Sequence, residues 1–309
     1  MLNCTPEQFY TINYEGNQTE KLIQAKSVRH TDGRWFQYGR SMSFAKDHIC
    51  FFNEHLELMV FNLIAGQHTA LPKTPSGSGH LCALLGYDGV SGRHNVLKAE
   101  ANFNSRTLKY WVFTLGVDET WREIKSPVMF YLSKSFMNSV CINGVIYSYN
   151  KMYGHSKLVA FDVRSESFHP IPLPPATYEY FRKLSLVELD ARFAVMYVHQ
   201  NKLVAWSLET ARSCWKKHTF SFPLEKGVLG PGGGFFPRTF ITATPAGEIV
   251  LLLMLNGTPS LWVLLDKFGP DPVWKEFRIR GLADIPTGMS KMSGVAAAQN
   301  IAHDHIHLE

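Results

Sequence analysis

One short unit recurs five times along this chain: an apolar strand with an aromatic or leucine near its centre, a polar turn, and a second strand. It reads Leu58-Met59-Val60-Phe61-Asn62 with Thr69-Ala70-Leu71-Pro72, then Tyr110-Trp111-Val112-Phe113-Thr114 with Trp121-Arg122-Glu123-Ile124. The third copy is Leu158-Val159-Ala160-Phe161-Asp162 with Phe168 to Pro174. The fourth and fifth are Leu203-Val204-Ala205-Trp206-Ser207 with Trp215 to Phe220, and Leu261-Trp262-Val263-Leu264-Leu265 with Trp274 to Phe277. Their centres, Phe61, Phe113, Phe161, Trp206 and Leu264, are separated by 52, 48, 45 and 58 residues. A fold must place one such unit every ~40–50 residues, which is the period of four-stranded blades arranged around an axis.

Two further strand-like segments precede each copy. Before the third, Ser139 to Ile142 and Val145 to Tyr149 flank Asn143-Gly144. That dipeptide predicts a tight hairpin, because both residues tolerate the positive φ of a type I′ turn. Before the fourth, Leu184 to Leu189 and Phe193 to His199 flank Asp190-Ala191-Arg192. No segment carries an apolar face at helical spacing over more than about two turns. The expectation is an all-β chain, a β-propeller of about six four-stranded blades forming one domain over residues 1–309. The clear repeats span 48–282. Residues 1–47 and 283–309, with strand-like Phe9 to Tyr14, Lys21 to Ala25 and Gly294 to Ala298, are expected to close the ring, which removes exposed sheet edges.

The rest of the composition excludes several classes. The Lys and Arg residues giving the net charge of +5 are dispersed. The longest basic cluster, Trp215-Lys216-Lys217-His218, is too short for a nucleic-acid tract and reads as a solvated strand face. The five cysteines are odd in number, widely spaced and free of Cys-x-x-Cys pairs, which predicts free thiols rather than disulfides or a zinc site. The first residues lack a basic start and an apolar stretch, so no signal peptide is expected. The longest apolar run, Ile249 to Leu255, is far short of the roughly 20 residues a membrane helix needs. A cytoplasmic or nuclear location follows, in which the sequons at Asn3, Asn17 and Asn256 carry no sugar.

Candidate chemistry is sparse. Gly230-Pro231-Gly232-Gly233-Gly234 lacks the Lys-Ser/Thr of a phosphate loop and reads as a surface loop. Asp118-Glu119-Thr120-Trp121 reads as a hairpin turn before a core Trp. His303, His305 and His307 alternate so as to share one face of an extended strand and suit a divalent metal, but no carboxylate or cysteine cluster completes a site with them. Asp88, Asp118, Asp162, Asp190 and Asp266 stand singly where turns are expected, as strand-ending chemistry predicts. No catalytic residue, cofactor or metal site is assigned, and the chain is read as a non-enzyme. The alternative is a propeller glycoside hydrolase or sugar-binding protein, which would gather several Asp, Glu or Arg at one mouth of the central channel.

An ordered set of motifs resembles the F-box-associated domain of plant F-box proteins, a kelch-like interaction domain. The set comprises Ala83-Leu84-Leu85-Gly86-Tyr87-Asp88, Trp111-Val112-Phe113, Trp121-Arg122-Glu123-Ile124, Cys141 to Tyr147 and Val159-Ala160-Phe161-Asp162-Val163. The resemblance covers roughly residues 48 to 282. It implies a protein–protein interaction module of the kind that recognises substrates in ubiquitin ligase complexes. Family members usually begin with a helical F-box that docks the Skp adaptor. Residues 1–47 read instead as strands and turns, so this chain alone is not expected to bind that adaptor.

Blade topology sorts the loops into two rims. The loops between second and third strands and those leaving fourth strands share one rim, and here they are long and aromatic. Tyr, Phe and Arg are enriched where binding energy concentrates. Tyr153, Tyr178, Tyr180, Arg182 and Phe236 are therefore expected to share a face that receives a protein partner, a ubiquitination substrate in the family reading. No nucleic-acid or membrane partner is expected.

Overall fold

The computed structural model describes residues 9–12, 22–28, 42–52, 57–74, 80–102, 107–126, 139–152, 155–175, 177, 184–199, 202–209, 214–221, 239–244, 247–255, 258–265, 267 and 272–280. Within them every regular element is a β-strand, 22 in all. No helix there is long and apolar enough to cross a membrane.

The chain opens with a hairpin of β1 (Phe9–Ile12) and β2 (Leu22–Val28). Blade 1 holds β3 (Met42–Ala45), β4 (His48–Phe52), β5 (Leu58–Asn62) and β6 (Gln67–Ala70). Blade 2 holds β7 (His80–Asp88), β8 (Arg93–Asn102), β9 (Thr107–Thr114) and β10 (Arg122–Ile124). Blade 3 holds β11 (Ser139–Ile142), β12 (Val145–Met152), β13 (His155–Asp162) and β14 (Ser167–Ile171). Blade 4 holds β15 (Ser185–Leu189), β16 (Arg192–His199), β17 (Lys202–Glu209) and β18 (Cys214–Ser221). Blade 5 holds β19 (Thr239–Ala243), β20 (Ile249–Leu255), β21 (Thr258–Leu265) and β22 (Val273–Arg280). Each blade is an antiparallel meander in chain order.

The blades form a β-propeller, as the repeat predicts, and the described residues contain five of them. The strand material expected at the chain start is present. It widens blade 5 rather than forming a blade of its own: β2 runs parallel to β22, with Ile23 opposite Ile279. The last sheet therefore has six strands, in the order β1-β2-β22-β21-β20-β19. Residues 283–309 lie outside the described residues.

Both faces of a blade are buried, which is why the repeated strands are continuously apolar rather than alternating. Side chains on a strand point to opposite faces in turn. On β13, Leu158 and Ala160 enter the core shared with blade 4, where Phe193, Val195 and Trp206 meet them. The intervening Val159 and Phe161 enter the core shared with blade 2, against Leu97, Tyr110 and Val112. The same division places Trp111 and Phe113 of β9 against Leu58 and Val60 of blade 1, and Leu203 and Ala205 of β17 against Ile249 and Leu251 of blade 5.

Near the axis the first strands are tied directly. The Leu85 N–H on β7 donates to the Ser43 hydroxyl on β3 at 2.8 Å. Ser43 in turn lies 3.3 Å from the Ser139 hydroxyl on β11. The Asn143-Gly144 hairpin is realised, with φ of 49° and 80° between paired Ile142 and Val145. Cys50 and Cys82 are buried, Cys141 half-buried and Cys214 exposed, all as free thiols. On β18, Lys216 and Lys217 are exposed, the solvated face expected of that cluster.

Candidate functional site

The turns between first and second strands, and between third and fourth strands, share one rim. Polar strand ends organise that rim. The Asp162 carboxylate at the end of β13 accepts from the backbone N–H of Arg164 and Ser165 at 2.9 and 2.8 Å. Asp88, ending β7, accepts from Val90 and Ser91 at 3.1 and 3.2 Å. Asn62, ending β5, does the same for Ile64 and Ala65, both at 2.9 Å. These side chains replace backbone partners that a tight turn leaves open. Asp118 belongs to the same class, accepting from the Thr114 N–H at 2.7 Å, and Trp121 beyond it is buried in the blade 1–2 core.

Ion pairs on the same rim also join neighbouring blades. Arg164 of blade 3 donates to Asp88 of blade 2 at 2.8 Å. That bond is the main reason the Asp88 carboxyl is held well below the usual carboxylate range. Arg122 of blade 2 grips both oxygens of Glu166 in blade 3, at 2.9 and 2.7 Å. Lys267 after β21 pairs with Asp190, between β15 and β16, at 2.6 Å, and also donates to the Gly247 carbonyl. The four turn carboxylates at 88, 118, 162 and 190 thus hold backbone turns or cross-blade cations. That is the turn role expected of them; Asp266, the fifth of the set, lies outside the described residues.

Between blades 1 and 2 the rim differs. The β3–β4 turn places Lys46 at φ 54°, with its ammonium 2.9 Å from the Tyr87 hydroxyl and 4.3 Å from that ring's centroid. Next to it, Asp47 Oδ1 accepts from His48 Nδ1 at 2.7 Å and lies 3.3 Å from His94 Nε2. The two imidazole rings are 4.0 Å apart, centroid to centroid, and Tyr87 lies 4.8 Å from His94. His94 is buried, and its Nε2 has no hydrogen-bond partner among the described residues. Burial, reinforced by His48, holds its pKa down at about 4 against the opposing pull of Asp47. Among the described residues, these three are the group whose donor atoms could hold a metal ion.

Sequence reasoning missed this trio, although a signal existed. His48 opens β4 and His94 sits at the start of β8, so each marks the head of a second strand in consecutive repeats. The expected partner-binding residues Tyr153, Tyr178, Tyr180, Arg182 and Phe236 lie outside the described residues. So do Gly230 to Gly234 and the histidines at 303, 305 and 307.

A second polar group is closed off from solvent. Lys98 and Glu100 on β8 are both buried and pair at 2.8 Å. Thr74, beyond blade 1, binds both partners, and the Trp111 indole N–H donates to Glu100 at 3.2 Å. The ion pair and Trp111 lie within blade 2, and Thr74 reaches them from the chain beyond blade 1, which marks a structural lock.

The "F-box protein At1g52495" of Arabidopsis thaliana is 29% identical over 261 residues, covering 80% of this chain and 59% of that protein. The "Putative F-box protein At3g10240" of Arabidopsis thaliana is 34% identical over 182 residues, covering 57% of this chain and 45% of the relative. The chain thus spans about half the length of these curated relatives. Among solved structures, the fungal lectin of Aleuria aurantia, described as a six-bladed β-propeller with a fucose recognition mode, is 10% identical. Its TM-score is 0.43 over 76% of this chain and 77% of the lectin. A family model described as the F-box associated beta propeller domain matches residues 3–267. With that match over most of its length, and with the five-blade architecture above, the chain belongs to the F-box-associated β-propeller domain family.

Proposed function

We propose that this propeller is a non-catalytic protein-interaction module that recognises a substrate for a ubiquitin ligase. Family membership over residues 3–267 is the observation that carries the reading. The arrangement of the turn rim supports it: its carboxylates are engaged in holding turns and joining blades. That leaves the opposite rim, with its long loops, as the surface free to vary without cost to the fold. Tyr153, Tyr178, Tyr180, Arg182 and Phe236 on those loops are proposed to form the receiving face.

The test is proximity labelling in the native tissue with the wild-type chain and with Tyr180→Ala/Arg182→Ala. Loss of a hot-spot residue costs about 2 kcal/mol or more, roughly thirtyfold in affinity. A partner that the wild type enriches and the double variant loses, with the thermal midpoint intact, supports the reading. Equal enrichment by both proteins would remove this face. Full-length relatives carry additional sequence, so adaptor binding is tested separately: a pull-down of the Skp adaptor with this chain alone is expected to recover none.

A further inference from the structure

We propose that Asp47, His48 and His94 form a binding site for a divalent zinc-class ion on the turn rim, where blade 1 meets blade 2. The donor set is two imidazole nitrogens and one carboxylate oxygen, chemistry that suits Zn²⁺ and its first-row neighbours. The three donor atoms lie within 4.8 Å of one another. Two separations are known more closely, 2.7 Å from Asp47 Oδ1 to His48 Nδ1 and 3.3 Å from Asp47 Oδ1 to His94 Nε2. A tetrahedral centre with metal–ligand bonds of about 2.0–2.2 Å sets its donors roughly 3.3 Å apart. Small side-chain rotations therefore suffice to reach that spacing, without moving a strand.

The second observation is the state of His94. Its side chain is 10% exposed, and its Nε2, 3.3 Å from Asp47 Oδ1, has no hydrogen-bond partner among the described residues. A buried polar atom left unmatched is costly, and a metal ion would satisfy it. The ring is also held in an orientation that suits ligation, since it hydrogen-bonds the Ala45 backbone and packs at a tilt against Tyr87. Such outer contacts are what fix a ligating imidazole. Asp47 and His48 are each 17% exposed, so a fourth coordination position opens to solvent, available to water or to a donor from a partner. Lys46, which faces Tyr87, is the nearby cation that opposes metal binding. It keeps the affinity moderate.

The test uses the full chain, stripped with EDTA and titrated with Zn²⁺ against a chromophoric competitor, then with Co²⁺. The expected result is one equivalent per chain, visible d–d bands for Co²⁺, and a thermal midpoint that rises with zinc. His94→Ala and His48→Ala should each weaken binding by more than the roughly 10–100-fold typical of an outer-contact change and abolish the zinc-dependent rise. His303→Ala/His305→Ala/His307→Ala should leave all three readouts in place. His48 is less buried than His94, so its variant keeps the test intact if His94→Ala fails to fold. The proposal is overturned if the wild type takes up no metal at micromolar zinc. It is equally overturned if uptake survives in His48→Ala, or if the tail substitution alone removes it.

Discussion

The Trp121 indole N–H donates to the Pro72 carbonyl at 2.6 Å, reaching from blade 2 to the exit of the last strand of blade 1. The bond recurs around the ring. Trp215 of blade 4 donates to the Pro172 carbonyl behind blade 3 at 3.0 Å, and Trp274 of blade 5 donates to Ser221 at the end of blade 4 at 2.6 Å. Blade 3 has Phe168 in the corresponding place, and its ring packs instead against Tyr110 of blade 2 at 4.8 Å. The tryptophans at this place in blades 2, 4 and 5 are thus stitches between the outer strands of adjacent blades. Trp121→Phe keeps the ring that lies 5.3 Å from Phe113 but leaves the carbonyl unmatched. It should lower unfolding free energy by about 1–3 kcal/mol, read from denaturant midpoints at unchanged slope.

Glu100→Ala should be more damaging. It strands the buried Lys98 ammonium, and breaking a buried pair on one side costs about 3–5 kcal/mol. The double variant Lys98→Met/Glu100→Leu should recover most of that loss, because removing both charges leaves no uncompensated ion. Chemical denaturation of the three proteins checks both statements. A double variant as unstable as the single would show that Thr74 and Trp111, not the ion pair, hold the lock.

Gly86 on β7 packs closely against blade 3. A Cβ there would stand 2.5 Å from Val163 Cγ1 and 2.9 Å from Ile146 Cδ1. Gly86→Ala should cost about 1–3 kcal/mol through overpacking. Val163→Ala added to it should return part of the loss, since it clears the nearer contact. The comparison of thermal midpoints for single and double variants decides.

Acid stability should depend on Arg164. Hydrogen bonding to Arg164 is the first cause of the depressed pKa of Asp88. A carboxylate with a lowered folded-state pKa contributes stability that is present above its unfolded value of about 3.9. That contribution is lost as pH falls below this value toward the folded one. Arg164→Met should therefore flatten the fall in urea midpoint below about pH 5, the gap between the two proteins narrowing steadily toward the acid end. Parallel curves would assign the acid sensitivity to other carboxylates.

What could be read from the chain follows the range over which each feature is encoded. Apolar runs of four or five residues, the Asn143-Gly144 turn and the acidic strand ends are set by neighbours in sequence. They already imply four-stranded units at a regular period. Even the core role of Trp121 was legible, since an aromatic at that place recurs in every unit but the first. The Asp47–His48–His94 group was legible only as a histidine recurring at the head of the second strand in two consecutive repeats; that the two meet around Asp47 was not, because they belong to different blades.

Some features were decided only when the blades packed. Which face of Phe161 meets blade 2 follows from strand alternation, but that the Trp121 indole finds the Pro72 carbonyl depends on the stagger between two sheets. The docking of β2 along β22 uses backbone donors and acceptors that every residue carries, so side-chain identity does not announce it. Sequence determined the strands, their turns and their two-sided burial, because those rest on local geometry and hydrophobic periodicity. Tertiary structure decided the contacts between blades and the edge that received the N-terminal hairpin. Those depend on distances between residues far apart in the chain, which no local pattern encodes.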